Sequence, residues 1–197
     1  MKRRVAFLDR DGVVNLDREY VHRIEDFEFV PGVFEAVRLL RGMGFLPVVT
    51  TNQSGIGRGL YDLRQFEVLT DWMKQRFIDE GAELAGVYFC PHHPTEAIAA
   101  YRQECSCRKP EPGMLLAAAT DLDIDLAASA MFGDRASDLE AARRAGVPAR
   151  YLLGTDAIAV PAELADRTLA TGRFPSLLDA VSSAELERFT ALAAPQR

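Results

Sequence analysis

Val5-Ala6-Phe7-Leu8-Asp9-Arg10-Asp11-Gly12 decides how the rest of this chain is read. Arg4–Leu8 has the unbroken apolar character of a strand buried on both faces, as strands of parallel sheets are. The run stops on two carboxylates two residues apart. At a strand end the backbone can aim both into one crevice, where they can hold a divalent cation, attack an electrophile or move a proton. Asp and Gly are also ordinary turn residues, so the tetrapeptide Asp9–Gly12 alone leaves both readings open.

Working outward, short apolar runs alternate with amphipathic segments. Gly12–Phe29 has no helical period and reads as an irregular loop or small flap. Pro31-Gly32 breaks the chain before a helix over Val33–Met43, closed by Gly44. Leu46–Val49 reads as a strand leading into Thr50-Thr51-Asn52-Gln53, and Ser54–Gly59, with three glycines, as a loop. Leu63–Glu80 is a helix whose aromatic residues belong to the core. Val87–Phe89 is a strand ending at Cys90. A helix runs from Pro112 to Leu122, a strand over Ala130–Phe132, a helix over Asp138–Ala145 closed by Gly146, and a strand over Ala149–Leu153. In the tail, Arg167–Ala170 reads as an edge strand and Pro175–Ser182 as a last short helix. Strands alternating with helices predict an α/β fold with a doubly wound, mostly parallel sheet.

The 197 residues suit a single domain, 1–197, whose least defined part is the tail 160–197. Apolar content of 48% and charged content of 26% are those of a globular protein, and a net charge of −6 argues against a nucleic-acid surface. The basic start Met1–Arg4 precedes too short an apolar run for a secretory signal, and no stretch approaches a membrane span. A cytoplasmic protein is expected, with no membrane or nucleic-acid partner. Cys90, Cys105 and Cys107 are odd in number, which argues for metal ligands or free thiols over a disulfide framework.

Four polar clusters carry the chemistry: Asp9/Asp11, Thr51-Asn52, Arg108-Lys109 and Asp134/Asp138. In a doubly wound fold the strand ends share one edge, so these clusters converge. Acids, a hydroxyl and two cations, with no Ser/His/Asp set and no Walker loop, suit phosphoryl transfer. Asp9 would take the phosphoryl group as an aspartyl-phosphate. Mg²⁺ would bridge Asp9, Asp134 and the phosphate. Thr51 and Lys109 would donate to the phosphoryl oxygens, and Asp11 would move the proton. Taken singly, Lys109 would be a solvated cation and Thr51 a strand cap; their coincidence at one edge favours chemistry. A zinc-stabilised binding module without turnover is the competing class.

A second constellation pairs Cys90-Pro91-His92-His93 with Cys105-Ser106-Cys107. Three thiolates and one of the two imidazoles can complete a tetrahedral Zn²⁺ site, although the spacing is not that of a standard finger. The zinc loop, 90–107, leads directly into Arg108-Lys109.

Asp9-Arg10-Asp11-Gly12-Val13-Val14-Asn15, Thr51-Asn52-Gln53-Ser54-Gly55, Arg108-Lys109-Pro110 and Gly133-Asp134 resemble the ordered motifs of haloacid-dehalogenase-type (HAD) phosphatases, over about Val5 to Leu153. Within that superfamily the chain is similar to the branch acting on heptose bisphosphates, next to the histidinol-phosphate phosphatases. The resemblance implies a HAD-like sheet without a large cap domain. It implies Asp9 as nucleophile, Asp11 as acid and base, and Mg²⁺ on Asp9, the Asp11 carbonyl and Asp134. Thr51 and Lys109 would stabilise the phosphoryl group, with Arg108 recognising substrate. It selects His92 as the fourth ligand of a closed, structural zinc site with Cys90, Cys105 and Cys107. It places Asp17, Arg18, Glu19, Tyr20, Thr51, Asn52, Gln53 and Ser54 along the sugar-phosphate pocket, and Arg135 where relatives often carry lysine. Arg58 reads first as an exposed loop arginine. Asp138 is expected to support the site without touching the metal. The implied reaction removes the C7 phosphate of heptose 1,7-bisphosphate, a step toward lipopolysaccharide core precursors; histidinol phosphate is the alternative substrate. The long His92–Cys105 stretch and the lack of a second domain favour the sugar. A monomer with a fairly open site is expected.

Overall fold

Val5, Ala6, Phe7 and Leu8 are wholly buried because their strand lies inside a sheet covered on both faces. In the computed structural model, which describes residues 2–154 and 169–192, the strands are β1 (Arg4–Leu8), β2 (Phe45–Asn52), β3 (Gly86–Cys90), β4 (Ala130–Gly133), β5 (Ala149–Leu153) and β6 (Gly172–Phe174). Their order is β3-β2-β1-β4-β5-β6, and every pairing is parallel. The helices are α1 (Val33–Gly42), α2 (Ser54–Gly57), α3 (Leu63–Asp79), α4 (Gly113–Asp121), α5 (Ala136–Ala145), α6 (Leu177–Val181) and α7 (Ala184–Leu192).

Strand side chains alternate between two cores. Ala6, Leu8, Val49 and Phe132 pack with Val37 and Leu40 of α1, Leu69 and Met73 of α3, and Val181 of α6. Val5, Phe7, Val48 and Met131 pack with Leu115 of α4 and Leu139 of α5. Burying each of the larger side chains contributes about 1.5–3 kcal/mol. Helix α3 starts on a capping box: Gln65 N donates to Asp62 Oδ1 at 2.7 Å, and Asp62 N donates to Gln65 Oε1 at 2.9 Å.

The chain winds from β1 outward to β3, then crosses back to lay β4 on the other side of β1. This reversal opens a crevice at the carboxyl ends of β1 and β4, where open α/β sheets bind their ligands. Asp9 N donates to Phe132 O at 3.0 Å, so the ladder holds Asp9 at the crevice.

The flap after β1 is anchored at its base. Val13, Val14, Val21 and Phe27 are buried in the α1/α3 core, where Phe29 stacks on Trp72 and Phe27 meets it edge to face. One 3₁₀ turn, Ile24–Asp26, interrupts it.

Three expectations are corrected. Ser54–Gly59 is not simply a loop: Ser54–Gly57 is a buried helical turn, and its glycines serve close packing. A Cβ on Gly55 would stand 2.2 Å from the Tyr61 ring, and one on Gly57 2.4 Å from the Pro91 carbonyl oxygen. The edge strand expected at Arg167–Ala170 is instead Gly172–Phe174; residues 167 and 168 lie outside the described residues, while Leu169 and Ala170 are not strand. Helix α7 follows the expected short helix and had no reading in the sequence. Among the described residues no helix is long and apolar enough to cross a membrane.

Candidate active site

The crevice opens into a cavity of about 540 Å³ lined by Asp9, Asp11, Asp17, Glu19, Tyr20, Thr51, Asn52, Gln53, Ser54, Arg108, Lys109 and Arg135, among others. Sequence-distant clusters therefore meet at one sheet edge. Lys109 is the hub. Its buried ammonium donates to Asp9 Oδ1 at 2.7 Å and Thr50 O at 2.7 Å, and it stands 2.6 Å from Asp138 Oδ1. Three partners match three ammonium protons. Asn52 clamps its backbone: Lys109 N donates to Asn52 Oδ1, and Asn52 Nδ2 to Lys109 O, both at 3.0 Å. A cis Lys109-Pro110 bond follows.

Asp11 is oriented by a separate set of donors. Arg10, buried beneath the loop, donates to its carboxylate from Nη2 at 2.9 Å, Asn15 Nδ2 donates at 3.0 Å and Gln53 Nε2 at 3.1 Å. Arg10 also donates to Val21 O at 2.8 Å, tying Asp11 to the flap. Gln53 Nε2 donates to Thr51 Oγ1 at 2.8 Å, which leaves the Thr51 hydroxyl proton for the cavity. Tyr61 donates to Gln53 Oε1; burial first of all pushes its pKa up to about 12, so it is a neutral donor.

The acids outnumber the cations at the crevice floor. Ligand oxygens of Asp9, Asp134 and Asp138 lie within 4.8 Å of one another. Burial pushes Asp9 well above the usual carboxylate range; Lys109 opposes this, and Asp138, Asp134 and Asp11 add to it. Burial, then the Asp138 charge, lifts Asp134 to about 7 against Arg135 and Lys109. Burial lowers the Lys109 pKa, but Asp138 and Asp9 outweigh it and the net direction is upward, so the ammonium stays charged. Such a cluster suits a divalent cation. Asp134 Oδ1 is buried with no hydrogen-bond partner, whereas both Asp138 oxygens are engaged, Oδ1 by Lys109 and Oδ2 by the Arg135 N–H at 3.0 Å. Asp9 and Asp134 are thus the carboxylates fitted to a hard cation, with Asp138 starting α5 and holding Lys109.

Asp138→Ala is expected to lower stability by about 3 kcal/mol, because it removes one partner of a buried pair. Urea unfolding measures this, and an unchanged midpoint would overturn it. Gly12 has φ +88°, and a Cβ there would stand 2.4 Å from Asp134 Oδ2. Gly12→Ala should cut turnover by about tenfold or more through both strain and displacement of Asp134; a rate near wild type would show that Asp134 can move freely.

The rim differs from the sequence expectation at two residues, Arg58 and Arg18; Arg58 is not an exposed loop arginine but follows the helical turn α2 and lines the cavity. Asp17, Glu19 and Tyr20 line the cavity, Glu19 and Tyr20 with φ of +54° and +51°. Arg18 does not: it turns outward and pairs with Glu28, both more than half exposed. Arg135 Nη2 bridges to Asp17 Oδ2 at 2.7 Å, joining two parts of the rim. Arg10, Asn15 and Tyr61 were not singled out in the sequence. An arginine between two aspartates reads as a solvated charge, and only its burial reveals its work.

At the carboxyl end of β3, Sγ of Cys90, Cys105 and Cys107 stand 3.1, 3.3 and 3.6 Å apart, with His92 Nδ1 3.3 Å from Cys107 Sγ. Ligands at about 2.3 Å around one tetrahedral zinc would be about 3.8 Å apart, so the donor set fits that ion. His93 does not join: its Nδ1 accepts from Glu96 N at 3.0 Å. The His93 pKa is lowered, first by burial and then by the charges of Arg108 and Arg58, which both face it.

Fold and site together define a phosphoric monoester hydrolase of the HAD-like class. A HAD-hydrolase-like family model matches residues 106–171. The D-glycero-beta-D-manno-heptose-1,7-bisphosphate 7-phosphatase of Vibrio cholerae is 51% identical over 155 residues, 79% of this chain and 83% of that protein. The Escherichia coli K12 protein of the same name is 52% identical over 149 residues, 76% of this chain and 78% of its own. The crystal structure of D,D-heptose 1,7-bisphosphate phosphatase from B. bronchiseptica, complexed with magnesium and phosphate, has a TM-score of 0.76 at 31% identity, covering 93% of this chain and 99% of that one. The chain belongs to the family of these heptose-bisphosphate 7-phosphatases.

Proposed function

We propose that the chain removes the C7 phosphate of D-glycero-beta-D-manno-heptose 1,7-bisphosphate, leaving the 1-phosphate. The reading is carried by Lys109 bonded to Asp9 at the strand-end crevice, in a chain about half identical to relatives bearing that activity in their name. Asp9 Oδ1 is held by Lys109, and Oδ2 has no hydrogen bond among the described residues, so it is available to attack phosphorus. As the new P–O bond forms, the bond to the sugar C7 oxygen breaks and Asp11 gives that oxygen its proton. Asp11 then takes a proton from water; the water oxygen bonds to phosphorus, the Asp9–phosphorus bond breaks, and inorganic phosphate leaves. The Thr51 hydroxyl supplies a donor for a phosphoryl oxygen, and the Lys109 ammonium, its protons held by Asp9, Thr50 O and Asp138, adds fixed positive charge beside the phosphoryl group. Asp9, Asp134 and the Asp11 carbonyl would hold Mg²⁺, which when bound neutralises charge between carboxylate and phosphate. Cys90, His92, Cys105 and Cys107 would hold a structural Zn²⁺ that pins the loop ahead of Arg108 and Lys109. The whole chain acts as one domain, a cytoplasmic monomer.

Rates on the beta and alpha anomers of the bisphosphate and on histidinol phosphate test this. The beta bisphosphate should exceed histidinol phosphate in kcat/KM by about 10²-fold or more, because rim cations such as Arg108 and Arg135 can meet a second phosphate that histidinol phosphate lacks. Equal or greater rates on histidinol phosphate would overturn the sugar assignment.

A further inference from the structure

The cations lining the cavity differ in how firmly their charges are already spent. Lys109 meets two buried carboxylates, and Arg135 faces Asp17 and Asp134. Among the described residues Arg108 donates only to a carbonyl, His92 O at 3.2 Å. Arg58, which caps α2 and lines the same cavity, pairs with one carboxylate, Glu96 of the zinc loop. Glu96 is 56% exposed, and an ion pair with so wet a partner is weak and readily exchanged. The Arg58 Nε is buried and has no hydrogen-bond partner among the described residues, so part of its donor fork is idle. The guanidinium carbon lies 5.6 Å from the centre of the Tyr20 ring, which keeps it against the flap. Arg58 and Arg108 both line the cavity. The zinc loop fixes both: Arg108 directly follows Cys107, and the helical turn before Arg58 is buttressed by Ile98 N donating to Gly57 O at 2.7 Å.

We propose that Arg58 is a specificity-determining residue that binds, together with Arg108, the substrate phosphate that is not transferred, releasing Glu96 as it does so. This rests on the bisphosphate reading above. A planar fork matches phosphate oxygens two at a time, and two such forks suit a dianion. No bond to phosphorus changes at this subsite. Arg58 therefore sets affinity and selection, while Asp9 and Asp11 set the rate.

The test compares heptose 1,7-bisphosphate with heptose 7-phosphate, which lacks the second group, in the wild type and in Arg58→Ala, Arg58→Lys and Glu96→Gln. Arg58→Ala should raise KM for the bisphosphate by about 30-fold with kcat within about threefold, and leave KM for the 7-phosphate unchanged. Arg58→Lys should restore part of the loss, because the charge remains but the fork is gone. Glu96→Gln should leave KM for the bisphosphate unchanged or lower, since it removes a competitor for the guanidinium. If the wild type prefers the bisphosphate and Arg58→Ala keeps that preference, or impairs both substrates alike, the role of Arg58 is overturned and the function stands. A wild type that does not distinguish the two substrates would overturn the bisphosphate reading and the subsite with it.

Discussion

Asp9→Asn lowers kcat by about 10⁴-fold or more, the expected consequence of removing a covalent nucleophile. The substitution keeps the shape of the side chain and its place on the ladder through Phe132 O. Lys109 retains Asp138 and Thr50 O as partners, so its charge is not left alone. One buried carboxylate leaves a crowded acidic cluster, which offsets part of the lost ion pair with Lys109. The melting temperature should therefore move by less than about 4 °C, or about 1 kcal/mol. Turnover with acid-quenched, phosphate-labelled protein separates chemistry from folding. The wild type should carry label on the peptide containing Asp9, and the variant should carry none. A variant that turns over at the wild-type rate removes the covalent mechanism, and with it the purpose assigned to Asp11 in the second step.

Cys107→Ser should release the zinc and lower the melting temperature by about 10 °C or more, because a closed structural site binds its metal only in the folded state. The segment from Pro91 to Glu104 has little regular structure, a 3₁₀ turn at Ala99–Tyr101 being its one helical piece. Its order depends on the thiol cluster and on packing against α2. Loss of the metal should also depress kcat/KM, since Arg108 and Lys109 follow Cys107 directly and Gly113 N donates to Ser106 O at 2.8 Å. The checks are zinc content, thermal unfolding and rate on one preparation. Wild-type protein that is folded, active and free of zinc would remove the structural role. Zinc retained by Cys107→Ser would shift the site to other ligands.

The motif residues were readable because their positions follow from topology. Once β1 and β4 are buried parallel strands, their carboxyl ends must meet, and Asp9 and Asp134 with them. The thiol cluster was readable because few other roles suit three cysteines so close in sequence. Arg10 and Tyr61 were not readable. Each acts through burial under a loop, and burial depends on what packs above it. The outward turn of Arg18 was hidden for the same reason, since an irregular loop has no period from which to read direction. The helical turn Ser54–Gly57 was masked by its glycines, whose task is proximity to Tyr61 and Pro91 rather than freedom.

The sequence by itself determined the sheet, the edge at which chemistry occurs, the identities of the acids and cations there, and the cysteine set. Hydrophobic period and strand-end placement act through local backbone geometry, so they survive in one dimension. Only the tertiary structure decided how charge is shared: Lys109 between Asp9 and Asp138, Asp11 under Arg10, Asp134 left with an unpaired oxygen, Arg58 on an exposed glutamate. Charge sharing depends on distances between residues up to about a hundred positions apart and on how deeply each is desolvated, and both exist only once the chain has packed.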